Sequence, residues 1–195
     1  MTANSAPSPS TSRARGITRW ITALALLPTP LWFLLAVARD PGPVWRAEYY
    51  GSVDFSGPAV TVTERRLNHY WDSQYPLVPG GFKARRSSAH FDTCLRLKQA
   101  RAVPFQLVAS GRAIFSINGQ EQLRLDNQER EARGAVTTLE PGVHHLRLDF
   151  SGRGWPSIAL NASFDGKAPV AIPAPDDVAG VTWFQPRPGP APCGE

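Results

Sequence analysis

Few residues in this sequence are equipped for chemistry. The four histidines are His69, His90, His144 and His145. His144 and His145 are adjacent, and neighbours on a strand point to opposite faces, so they cannot share one metal ion unaided. Cys94 and Cys193 are the only cysteines. No Cys-x-x-Cys, His-Glu-x-x-His or Gly-x-Ser-x-Gly occurs, which leaves out the usual zinc and nucleophile-elbow signatures. Glycoside hydrolysis needs two carboxyl groups roughly 5–10 Å apart across a groove. Asp54, Glu121, Asp126 and Asp149 are available, but no spacing singles out a pair. The expected catalytic set is empty, and so is the metal set. Aromatic rings offer a different chemistry, stacking on sugar faces. "HYWDSQY" (residues 69–75) and "RGWP" (153–156) fall between predicted strands. Tyr70, Trp71, Tyr75 or Trp155 could supply the platform; the alternative is that these rings fold back onto the domain.

The elements that position these residues read as all-β. Short alternating runs bounded by turn residues recur from residue 44 to 166, with no sustained helical period. They include "AVTVT" (59–63), "FDTCLRL" (91–97), "HLRLDF" (145–150) and "SIALNASF" (157–164). The stretch "VPFQLVASGRAIFSINGQEQLRLDN" (103–127) reads as three short strands joined by two tight turns, "ASGRA" and Asn118-Gly119. Asn-Gly between two such runs is a strong hairpin signal, because both central residues take positive φ. These strands predict a sandwich or barrel.

Outside this region the composition changes. Residues 1–15 are Ser, Thr, Ala, Pro, Arg and one Asn, with no large apolar side chain except the initiating Met, which predicts a disordered arm. Residues 16–38 contain the uncharged run Trp20–Ala38, preceded by Arg13, Arg15 and Arg19. That run is about the 20 residues needed to cross a bilayer, and the flanking arginines place the N-terminus in the cytoplasm. It reads as a signal anchor, or as a cleaved signal peptide ending at Ala36-Val37-Ala38. Either way the β domain is expected outside the cytoplasm, with the lipid bilayer as its first partner. Residues 167–195 form a Pro-rich tail in which "GVTWF" (180–184) is the one strand-like run. In an oxidising compartment Cys94 and Cys193 are expected to form a disulfide; a buried core thiol at Cys94 is the alternative. The net charge of +5 comes from scattered arginines. With no dense basic stripe, nucleic acid is not an expected partner.

The order of residues from 44 to 166 resembles the PA14 domain family. "RAEYYGSVDFSG" (46–57) resembles its opening strand, and "HFDTCLRLKQARAVPFQL" (90–107) its first strand pair. "GRAIFSINGQEQLRLDN" (111–127) resembles the central motif, and "TLEPGVHHLRLDFSGRGWPSIALNASF" (138–164) the closing hairpin. The resemblance implies an antiparallel β-barrel or sandwich of a non-catalytic, carbohydrate-binding or adhesive kind. Sugar-binding members hold calcium with two consecutive aspartates in the turn before the central strand. Those positions fall on Ser110 and Gly111 here, and neither offers a carboxylate. No cofactor is therefore expected. Arg112 beside that turn, with Asp126 and Asn127 opposite, is expected to pair internally (Arg112 with Asp126) or to meet an anionic ligand, and Trp155 to add a ring. Two roles follow: binding a glycan or envelope partner without calcium, or docking as an accessory domain onto a membrane protein such as a glycosyltransferase, with no sugar bound.

Overall fold

The computed structural model describes residues 44–173, 178–189 and 191–194. The N-terminal arm and the 16–38 segment lie outside them. Among the described residues no helix is long and apolar enough to cross a membrane.

Among the described residues twelve strands follow in chain order: β1 (Trp45–Tyr50), β2 (Ala59–Glu64), β3 (Asn68–Tyr70), β4 (Leu77–Val78), β5 (Phe82–Lys83), β6 (Ser88–Leu97), β7 (Arg101–Ile117), β8 (Gln120–Leu139), β9 (Gly142–Ser151), β10 (Ser157–Ala162), β11 (Val170–Ala171) and β12 (Val181–Phe184). Two 3-10 turns, Pro79–Gly81 and Ala84–Arg86, are the only helical pieces described. All pairings are antiparallel, and the main path runs β11-β10-β7-β9-β6-β1-β2.

The sheet is organised by strands that change partner part-way along one edge. Residues 105–110 of β7 pair with β10, and residues 112–117 pair with β9. β6 does the same, giving residues 88–92 to β1 and 94–97 to β12. The tail thus contributes β11 and β12 to the main sheet, and β12 settles where "GVTWF" goes.

This corrects the reading of residues 103–127 as three strands. β7 runs unbroken through "ASGRA", with Val103, Phe105, Leu107, Ala109, Ala113, Phe115 and Ile117 all buried on one face. Ser-Gly punctuates the sequence like a turn, yet here it makes a bulge. Ala109 faces Glu131 and Gly111 faces Asn127, so Ser110 alone opposes the three β8 residues 128–130. Gly111 sits at φ +115°, and a Cβ there would lie 2.6 Å from the Ser151 carbonyl oxygen. Only glycine fits where the two halves of the sheet converge. The Asn118-Gly119 turn forms as expected, with φ +51° and +78°.

The core is aromatic. Phe105 packs on Phe115 at 5.1 Å between ring centroids, and Phe164 on Trp183 at 5.6 Å. Trp45 is fully buried and its indole N–H donates to the Ile172 carbonyl at 2.9 Å. Cys94 and Cys193 are joined in a disulfide with Cα atoms 5.7 Å apart. It ties the end of the tail to the middle of β6, whose residues are buried on both faces there.

Candidate functional site

The loop 152–156 between β9 and β10 carries Trp155, which is 55% exposed. Its backbone is fixed from three directions. The Gly152 N–H donates to the Ser87 carbonyl at 2.8 Å. A Cβ on Gly152 would lie 2.1 Å from the Ala84 carbonyl oxygen, so the two segments touch backbone to backbone. The Trp71 N–H donates to the Pro156 carbonyl at 3.0 Å. The third attachment is Ser110. Its buried hydroxyl donates to the Trp155 carbonyl at 2.8 Å and accepts from the Ser157 N–H at 2.9 Å. The residue at an expected calcium-ligand position therefore staples the tryptophan loop.

Between this loop and the segments 71–77 and 83–85 lies a surface groove of about 250 Å³. Trp155, Pro156, Pro76 and Leu77 give it apolar walls, with Trp71 also lining it. Trp71 is 6% exposed and stacks between His69 and Phe150, so it is core and not the free platform the sequence allowed. Tyr70 and Tyr75 are exposed but do not line the groove. Asp72, Lys83 and Arg85 supply its charges. Asp72 is partly committed, because its Oδ1 accepts from the N–H groups of Gln74 at 2.8 Å and Tyr75 at 3.0 Å.

The other expected ligand residues lie around the bulge. Arg112 is exposed and opposite Asp126 in the ladder, and Asn127 is opposite Gly111. The ion pair on Asp126 comes from Arg153 in the tryptophan loop, at 3.5 Å, where the sequence suggested Arg112. The Asn127 Oδ1 accepts from the Glu129 N–H at 3.3 Å. Contacts through Ser110 and Arg153 thus link the bulge to the Trp155 loop, while Arg112, Asp126 and Asn127 stay outside the groove lining. Sequence reasoning missed Lys83, Arg85 and Leu77. They lie some 70 residues from Trp155 in the chain, and no local pattern announces their meeting.

The remaining polar clusters brace the fold. On the surface of β6 and β9, His90 meets Asp149 at 2.6 Å, His145 meets Asp92 at 2.8 Å, and Arg147 meets Asp149 at 2.8 Å. Burial alone raises the Asp149 carboxyl, but the His90 hydrogen bond and the Arg147 charge outweigh it and hold the group below the ordinary aspartate range. At the β1–β2 edge the Tyr49 hydroxyl donates to Glu64, which also contacts His69. Burial first, then the Glu64 charge, push that phenol far up. His144 bonds Asn118 at 3.1 Å and the Glu140 carbonyl at 2.8 Å, joining two turns. Among the described residues no group of three or more His, Cys, Asp or Glu is placed to hold a metal ion.

No protein-family profile matches the sequence, and no curated protein matches it. Solved structures do. An anti-sigma factor domain-containing protein aligns at TM-score 0.62 and 17% identity, over 77% of this chain and 50% of that one. A second, from Clostridium clariflavum, aligns at 0.60 and 12%, over 75% and 48%. The chain therefore spans about half the length of these two relatives. A PA14 sugar-binding domain from an RTX adhesin aligns at 0.55 and 17%, over 67% of this chain and 94% of that one. The domain has the PA14 fold. Within that fold, Ser110 and Gly111 are the positions where the sequence resemblance put the calcium pair. The PA14 framework here keeps the neighbouring loop in place with a neutral hydroxyl and a glycine.

Proposed function

We propose that this protein is an exported, non-catalytic PA14-type module that binds glycans through the Trp155 groove and does so without calcium. The observation that carries the reading is the groove. An indole 55% exposed stands at the lip of an apolar cleft on a backbone that Ser110 and Ser87 hold in place. A large ring on a fixed backbone loses little conformational freedom when a sugar stacks on it. Structures of the same fold are described as sugar-binding, and one, an epithelial adhesin 9 domain from Candida glabrata, is in complex with Galβ1-3GlcNAc (TM-score 0.51, 8% identity, 74% of this chain and 90% of that one). Calcium takes six to eight oxygen ligands, several of them carboxylates. Ser110 gives one hydroxyl that is already bonded, and Asp126 already faces a guanidinium.

We also propose that residues 16–38 hold the module at the cytoplasmic membrane, N-terminus inside. Blotting washed membranes tests that part: a full-length band is expected, and a shortened, released chain contradicts the anchor. The binding reading is tested on a glycan array with the full chain, in calcium and in EDTA, beside Trp155→Ala. The expected signal is equal in both buffers and lost in the variant. A signal abolished by EDTA contradicts calcium independence, and one unchanged in Trp155→Ala contradicts the site. Absence of any signal favours docking onto a membrane protein.

A further inference from the structure

We infer that the groove selects an acidic sugar, with the carboxylate of a hexuronic acid held by Lys83 and Arg85; this rests on the glycan reading above. Lys83 and Arg85 flank the buried Ala84, and all three line the groove that Trp155 also lines. Both cations are exposed, and among the described residues neither enters an ion pair. The one acidic residue in the lining is Asp72, and its Oδ1 is turned to its own loop backbone. Arg153 is taken up on Asp126 and does not line the groove. The groove thus combines apolar side chains, an exposed indole among them, with two positive charges that enter no ion pair among the described residues.

A neutral pyranose offers the indole a ring face and the cations only hydroxyl acceptors, so the two positive charges stay uncompensated. A hexuronic acid uses both. Its ring face stacks on Trp155, and its C5 carboxylate projects from the ring edge in the plane of the ring, for Lys83 and Arg85 to meet. Arg85 can take a carboxylate through two parallel N–H donors, while Lys83 acts as a point charge. The contacts are exposed to solvent, so the gain is modest: about five- to tenfold in affinity for the pair.

The test is a calorimetric titration of the full chain with trigalacturonate and with its methyl ester, which keeps the ring and removes the charge. The acid is expected to bind about five- to tenfold tighter at 50 mM salt, with the gap closing at 0.5 M salt. Lys83→Gln/Arg85→Gln should bring the acid down to the level of the ester, with Arg85→Gln alone intermediate. Both positions are exposed, and an unchanged melting temperature shows that the variants are folded. Trp155→Ala should weaken acid and ester together. Equal affinity of the wild type for acid and ester, lost in Trp155→Ala, overturns the acid preference and leaves the groove reading standing. An acid preference that survives the double variant overturns the assignment to Lys83 and Arg85. Binding of neither sugar overturns the inference too, and the glycan array then decides separately whether the glycan reading stands.

Discussion

Replacing Ser110 by alanine removes one oxygen and should do far more than that count suggests. The hydroxyl donates to the Trp155 carbonyl at 2.8 Å and accepts from the Ser157 N–H at 2.9 Å, and both serines are buried. In the variant the Ser157 N–H loses the hydroxyl it donates to at a buried position; leaving such a donor unmade costs about 1–3 kcal/mol. The Trp155 carbonyl sits on an exposed residue and can turn to solvent, so its lost bond adds only about 0.5–1.5 kcal/mol. Together the loss is about 1.5–4.5 kcal/mol, which for a domain near 150 residues lowers the melting temperature by roughly 3–18 °C. Ser116→Ala is the matched control: the same strand and the same atom removed, but a single bond stretched to 3.5 Å, with an expected change within about 0.5 kcal/mol. Thermal unfolding followed by circular dichroism reads both. If Ser110→Ala melts together with Ser116→Ala, the hydroxyl is not the staple of the tryptophan loop and the site geometry argued above fails.

Gly119→Val places a β-branched residue at φ +78° in open space, so its cost of about 1–3 kcal/mol is all backbone strain; an unchanged melting temperature would show the turn to be adaptable. The Cys94–Cys193 bridge closes a separation of 99 residues, worth up to about 4–5 kcal/mol in the chain-entropy picture. Cys94→Ala/Cys193→Ala should therefore melt well below the wild type and be indifferent to reductant, whereas an equal melting temperature would assign the bridge no stabilising role. Asp149 is held below its ordinary range by His90 and Arg147. Its stabilising contribution is full above the unfolded value of about 3.9 and is lost as pH falls through the lower folded value. Asp149→Asn should lose less stability than the wild type between pH 5 and 3, and parallel pH–stability curves would contradict this.

How legible the molecule was depended on whether the deciding physics was local. Asn118-Gly119 could be read because positive φ is a property of two adjacent residues. β7 could be read as buried on either side of Ser110-Gly111, because Phe105, Leu107 and Ala109 alternate before it and Ala113, Phe115 and Ile117 after it. The bulge at Ser110 could not, because Ser-Gly looks the same in a turn as in a strand, and the decision rests on the Ser151 carbonyl 40 residues away. The second half of β8, "QEREARGAVTTL" (128–139), hides for a different reason. It pairs with β7 alone and is mostly exposed, so it needs no apolar alternation. At the site, Trp155 stood out as a loop aromatic. Lys83 and Arg85 looked like scattered surface charge until Gly152 and Ala84 brought their segments together.

The central claim is that a glycan stacks on Trp155, and the indole N–H signals of the full chain test it most directly. They can be assigned by single Trp→Phe variants and followed while the tightest array ligand is added. The Trp155 signal should shift progressively and saturate, while that of Trp45, whose N–H is buried on the Ile172 carbonyl, stays in place. Saturable binding by calorimetry with the Trp155 signal unmoved would contradict the account and put the sugar elsewhere on the domain.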